Sequence, residues 1–385
     1  MCAAAARRGR ALLLALPLAL ASLLASSELP GKDPPPLPGP APQRRAEEYD
    51  PSAENARCET CHAEIAAEHR ASQHKRSWED PVFGAAYALE PLAFCRGCHA
   101  PESDPAEPPG APARALGVGC VTCHVQDGEV VGARARAANG GAHAVRADAR
   151  FSTAEACSRC HQFDFPLRPG APMQDTVHEH KTGKLASTPC QACHMPTVQG
   201  KSGKPHKSHA FPAHGDAALL RSAVQASAAR STAQAVTVTL SVARVGHAFP
   251  TGDMFRRLEV RAIILGPDGE PTGRSTSVLL ERKFQVTVTK QGTERVQVAD
   301  TRLPSSGAPR EALLLFAEDI ERRSVRWEVA YQRMSSAMAK LFGVDPAADE
   351  VIVATGTLQP AGAPATSATS ATSVTPAAPA AKEPN

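Results

Sequence analysis

Five pentapeptides of one form dominate this chain: "CETCH" at Cys58–His62, "CRGCH" at Cys95–His99, "CVTCH" at Cys120–His124, "CSRCH" at Cys157–His161 and "CQACH" at Cys190–His194. They hold ten of the eleven cysteines. At this cysteine and histidine content a random order would yield roughly 0.01 such motifs, so chance does not account for five. CxxCH is the attachment signal for haem c. Its two thiols can add to the two vinyl groups of one porphyrin, and the histidine that follows is held beneath the ring, where its imidazole can ligate iron. A disulfide framework would use the cysteines but has no need of a histidine after every second one. Zinc knuckles would pair CxxC units at regular spacing, which five separate half-sites do not do. The expected cofactors are therefore five haem c groups. Their anchors are Cys58, Cys61, Cys95, Cys98, Cys120, Cys123, Cys157, Cys160, Cys190 and Cys193, and their proximal ligands His62, His99, His124, His161 and His194.

Composition divides the chain around these motifs. Residues 1–27 carry Arg7, Arg8 and Arg10, then an apolar run interrupted by Pro17 and a small-residue end at Ser26 and Ser27, the pattern of a secretory signal peptide. The run is short for a membrane span; an uncleaved anchor is the alternative reading. Residues 28–56 are proline-rich and polar, an expected extended linker. Residues 57–216 contain all five motifs and are expected to fold with the haems as core, because roughly 30 residues per haem are too few to build an ordinary apolar interior. Short helices are expected around the motifs, with Ser152 or Thr153 capping the fourth. Residues 230–358 lack cysteine and change to a period of two, in segments such as "AQAVTVTLSVARV" and "SVRWEVAYQRM", with turn pairs at Asp268-Gly269 and Gln291-Gly292. That pattern predicts antiparallel strands in a β-sandwich, with one helix over "YQRMSSAMAKLFG" ending near Gly343. Residues 359–385, rich in Ala, Pro, Ser and Thr, are expected to be a disordered tail. The fold class is thus α+β: a short-helix and loop pentahaem domain followed by a β-sandwich-like domain.

Nine histidines remain after the five motif histidines are set aside: His69, His74, His143, His178, His180, His206, His209, His214 and His247. That surplus favours bis-histidine, low-potential haems over His/Met ones, although Met173, Met195 and Met254 stand near motifs. The stretches "CHAEIAAEHRASQHKRSWEDPVF", "GVGCVTCH", "EACSRCHQFDF", "MQDTVHEHKTGKLASTPCQACHMP", "KSHAFPAHGD" and "GHAFPTGD" carry a resemblance. Over about residues 57–252 the chain resembles the multihaem c-type cytochromes related to the tetrahaem carrier that accepts electrons from hydroxylamine oxidoreductase. The resemblance implies distal ligand roles for His74, His209 and His247, and more loosely for His214 and His143. It also shows departures. Where the family often has tryptophan, His69 and His180 stand here, either as packing replacements, the favoured reading, or as altered ligands. His143 is read as serving a haem other than that of the Cys120 motif beside it. His247 lies among the first strands of the β region, so a ligand role would dock that region onto the haems, with Pro250, Thr251 and Gly252 forming the turn that presents it.

Two functional classes follow. The first is an electron carrier in the cell envelope, exported to the periplasm or beyond, whose partners are other redox proteins or quinol-oxidising membrane complexes. The second is a reductase or oxidase of a small nitrogen or sulfur species, which needs one haem with an open face. A filament subunit is a weaker third. The formal net charge of +3 gives no electrostatic case for nucleic acid, and no second apolar stretch approaches a membrane span. The basic stretch "KSGKPHKSH" is read as a solvated loop in preference to a docking face for an acidic partner.

Overall fold

The computed structural model describes residues 49–104, 107–139, 143–165, 168–290 and 292–362. The signal-peptide segment, most of the linker, nearly all of the 359–385 tail and Gln291 of the second turn pair lie outside these residues.

Each CxxCH motif is the last turn of a short helix. The helices are α1 (Pro51–Cys61), α4 (Ala93–His99), α6 (Cys120–His124), α7 (Glu155–His161) and α9 (Cys190–His194), with His62 as the cap of α1. Three residues of helical rise put both cysteines of a motif on one face, a turn apart. Between them lie α2 (Ala63–Arg70), α3 (Pro81–Leu89), α5 (Ala111–Leu116) and α8 (Thr176–Lys181), followed by α10 (Ala217–Ser222). Helices of this length are marginal alone, and local signals define their ends. Asp50 accepts from the amides of Ser52 and Ala53, with Pro51 at the first position of α1. Residues 51–56, expected as extended linker, are therefore helical. Before α7 it is Thr153, whose Oγ1 accepts from the Glu155 amide, that does the capping work; Ala154 holds the cap position itself.

Small two- and three-stranded pieces complete this half: β1 (Val125–Gln126), β2 (Glu129–Gly132), β3 (Arg146–Ala147), the hairpin β4 (Phe163–Phe165) and β5 (Arg168–Gln174), and the hairpin β6 (Thr197–Gln199) and β7 (Pro205–Lys207). Buried apolar side chains are sparse here, among them Ala66, Phe94, Leu116, Val121, Val131 and Val177.

The second half builds two antiparallel sheets. One is ordered β12-β11-β10-β14-β15 and the other β13-β9-β8. Their strands are β8 (Val224–Thr232), β9 (Ala235–Val242), β10 (Arg257–Leu265), β11 (Pro271–Thr289), β12 (Gly292–Asp300), β13 (Arg310–Leu315), β14 (Val325–Gln332) and β15 (Val351–Leu358). Alternation explains the inner faces: Val236, Val238 and Leu240 of β9 meet Leu258, Val260 and Ile264 of β10 and Trp327, Val329 and Tyr331 of β14 in one core. The predicted helix forms as α11 (Ser336–Phe342), capped by Ser335 and ended by Gly343 at φ 66°. It starts later than expected, since Tyr331 and Gln332 belong to β14 and pair with β10. Strands β8 and β13 were not expected as separate segments. The β region begins at Val224, earlier than residue 230.

The two halves are packed together. Val82 of α3 joins Met334, Ala339, Phe255 and Phe342 in a second apolar cluster. Ion pairs span the same contact: Arg333 with Asp80 (2.7 Å), Arg295 with Glu90 (2.8 Å), Arg168 with Glu294 (3.0 Å) and Arg302 with Glu179 (2.7 Å).

Candidate haem-binding sites

Four of the five motif histidines face a second histidine drawn from far along the chain. The ring centroids are 6.2 Å apart for His62 and His143, 6.3 Å for His161 and His74, 6.2 Å for His124 and His209, and 6.4 Å for His194 and His247. Two imidazoles on opposite sides of one iron, each with a metal–nitrogen bond of about 2 Å, would stand about 6 Å apart centre to centre. The pairs therefore fit a bis-histidine haem, and the cysteines one turn before each motif histidine fit its covalent anchors. Among the described residues no group of three or more His, Cys, Asp or Glu side chains converges on a metal-sized point, and the ten described cysteines form no disulfide.

The hydrogen bonds of these rings separate candidate ligands from packing histidines. Nδ1 of His143 donates to the Ala144 carbonyl (3.0 Å), of His209 to Lys207 (2.8 Å), of His247 to Ala248 (2.9 Å), of His124 to Val131 (2.9 Å), of His194 to Pro212 (3.0 Å) and of His99 to Ser77 (2.6 Å). A proton on Nδ1 leaves the Nε2 lone pair free for a metal, the usual arrangement of a ligating histidine. His69 and His180 are built the opposite way. Each is buried and uses Nε2 to donate to a carbonyl, Val118 for His69 and Thr188 for His180, both at 2.8 Å. An indole N–H would make the same bond, which supports the packing reading of both. Nε2 of His206 is taken by Glu68 (3.1 Å), and His178 is exposed on α8.

Burial lowers the pKa of six of the paired rings, His62, His74, His124, His161, His209 and His247. His74 is pushed down to about 3 by desolvation and then by the neighbouring His161; His161 and His247 are pushed down to about 4, again chiefly by burial. The neutral ring is the form that binds a metal. Burial likewise raises the thiols of Cys120 to about 11 and Cys95 to about 12.

His99 differs. Among the described residues no histidine ring lies across from it; its ring stacks on Phe83 at 3.5 Å and 5°. The remaining candidate, His214, takes a contact from Gln73 Nε2 at 3.4 Å, in a surface concavity of about 390 Å³ shared with Gln73, Arg76, Asp80 and Arg333.

Thiols of different motifs meet. Cys98 contacts Cys160, Cys157 contacts Cys190, and Cys123 lies close enough to shift both Cys157 and Cys160. The Cys120 amide is held by Asn55 Oδ1 (2.7 Å) on the helix of the first motif. In space the order is thus first, third, fourth, with the second and fifth beside the fourth.

Several supporting residues carry no sequence signal of their own. Phe211, at φ 45°, wedges between His74 (4.3 Å) and His209 (5.7 Å), and Phe151 stacks on His124 at 5.0 Å. The His247 loop contains a cis Phe249-Pro250 peptide, then Gly252 at φ 113°, where an added Cβ would meet the Arg256 side chain at 2.9 Å.

The fold is similar to that of a penta-heme cytochrome c552 from Thermochromatium tepidum, with a TM-score of 0.61 and 22% sequence identity over 80% of this chain and 98% of that one. At that identity the likeness is one of fold. No protein-family model matches the chain, and no curated protein matches it. Among the described residues no helix is long and apolar enough to cross a membrane.

Proposed function

We propose that this chain is an exported multihaem cytochrome c of the cell envelope that carries five covalently attached haems and passes electrons between redox partners. The observation that carries the reading is the set of four histidine pairs, each joining a CxxCH histidine to a distant histidine at 6.2–6.4 Å. When bound, haem supplies one-electron chemistry at iron, with a potential set by axial ligands, hydrogen bonds and burial. In this reading His62 with His143, His74 with His161, His124 with His209 and His194 with His247 would each hold one iron, and the Nδ1 hydrogen bonds of His143, His124, His209, His194 and His247 fix the orientation of those rings. The contacts between motifs place neighbouring sites close together, with the fourth motif at the branch. The partners are other redox proteins or quinol-oxidising membrane complexes, and the role fits the cytochromes related to the tetrahaem carrier that accepts electrons from hydroxylamine oxidoreductase. The second half reads as a β-sandwich docked on the haem-bearing half, contributing His247.

A second reading rests on His99. With Phe83 against its ring instead of a second histidine, His99 would leave its haem without a histidine on the far side, where a small nitrogen or sulfur species could bind. Absorption and electron paramagnetic resonance spectra of the holoprotein, with cyanide added to the ferric and carbon monoxide to the ferrous form, separate the two. Low-spin haems are expected at the four histidine pairs, and a fifth, high-spin haem that binds these ligands would favour the second reading. Five low-spin haems that bind neither ligand would leave only the carrier; two or more high-spin haems would overturn the four-pair assignment.

A further inference from the structure

We propose that Glu179, Arg302 and Thr251 form a positioning clamp that holds His247 at a fixed distance from His194; this rests on the reading of that pair as the two ligands of the fifth haem. Glu179, on α8, is 7% exposed, so its carboxylate is largely removed from water. One oxygen accepts from Arg302 Nη2 (2.7 Å) and the other from Thr251 Oγ1 (2.6 Å). Arg302, 5% exposed, also donates to the Pro250 carbonyl (2.9 Å) and to both Asp300 oxygens. Thr176 Oγ1 shares a hydrogen bond with Thr251 at 2.9 Å. Two consecutive residues of the His247 loop, Pro250 and Thr251, are thus tied to buried charges from separate elements.

The same helix reaches both sides of the site. His180, next to Glu179, donates to Thr188 just before Cys190, while its ring lies where a Cβ on Gly246 would come within 2.9 Å of it. Gly183 lies against the Gly246 carbonyl, where a Cβ would stand 2.5 Å away. The Phe249 amide and carbonyl bond Leu303, next to Arg302. Thus α8 is packed on the loop that carries His247 and bonded to the segment that enters the His194 motif. A buried ion pair contributes little net stability over apolar packing of the same shape, because desolvation offsets the attraction. Fixing one geometry is the use such a network serves here, since a ligand ring must stay within a few tenths of an ångström of its bonding position.

The test compares Glu179→Gln, Arg302→Met and Thr251→Val with His247→Ala and with Arg168→Met, which removes another ion pair between the two halves far along β5. Each is purified as holoprotein with five haems counted by pyridine haemochrome. Glu179→Gln and Arg302→Met are expected to convert one low-spin haem to a high-spin or exogenous-imidazole-binding form, as is His247→Ala, and to shift the potential of one centre. Thr251→Val, which removes only the two hydrogen bonds of the hydroxyl and keeps the side-chain volume, should speed imidazole entry at the same centre even if the charge variants do not fold. Arg168→Met should lower the unfolding midpoint with spectra unchanged. If all three clamp variants keep every haem low-spin, with unaltered potentials and imidazole kinetics, the network is only a docking contact and the proposal fails. If His247→Ala itself changes nothing, the ligand assignment beneath it fails instead.

Discussion

At the scale of single residues, a histidine is defined by which nitrogen holds the proton. His74, His143, His209 and His247 are brought to within 6.4 Å of a motif ring, whereas His69 and His180 spend Nε2 on a carbonyl. Replacing His143 with Ala is expected to turn the haem of His62 high-spin and leave the other low-spin haems unchanged, read by electron paramagnetic resonance. His69→Ala, by contrast, should keep the haem spectra and lower stability, since it removes a buried ring and leaves the Val118 carbonyl unpaired, a loss of about 2 kcal/mol. Asp80 supplies a pH prediction. Burial pushes its carboxyl up, but the hydrogen bonds and charge of Arg333 outweigh that and hold it below its ordinary value. A carboxylate with a depressed folded pKa contributes stability that is full above its unfolded value of about 4 and is lost as pH falls through the folded value. Asp80→Asn should therefore cost about 3 kcal/mol at neutral pH. The gap to the unsubstituted protein in denaturant unfolding should close as pH is lowered below about 4. A gap that stays constant with pH would rule out the ion pair as its cause.

At the scale of elements, the helices and strands were legible wherever the signal is local. CxxCH at helix ends, the Ser335 cap and Gly343 stop of α11, and the alternation of β9, β10 and β14 all follow from residues a few positions apart. What was missed has weaker local character. In β13 the outward Leu313 and Leu315 blur the alternation, and β8 is rich in alanine and serine, so neither stands out from loop composition. Tyr331 and Gln332 look helical with the residues after them, yet pairing with Leu258 and Arg257 keeps them in β14. One glycine in β15 shows how strands fit face to face. Gly356 is paired with Trp327, and a Cβ there would lie 2.8 Å from the indole. Gly356→Ala should destabilise the β region by about 1–3 kcal/mol in thermal unfolding, with no change in the haem spectra.

At the scale of the whole molecule, two kinds of interior are joined. The β region has its own apolar core, but the haem-bearing half buries few apolar side chains and brings histidines and thiols together where a core would be. Protein produced without haem attachment is expected to lose the structure of residues 57–216 while residues 224–358 stay resistant to limited proteolysis, with cleavage mapped by mass spectrometry. Equal protection of both halves would show that side chains alone suffice to fold the first. The sequence by itself determined the five CxxCH motifs, the histidine that ends each and the change from helical to strand periodicity, because each is written in residues close together. Which histidine faces which motif, why His99 faces Phe83 instead of a second histidine and how His247 of the β region reaches His194 were decided only by tertiary structure. Those pairings join residues far apart in the chain, and their distances are set by packing between elements that no local pattern encodes.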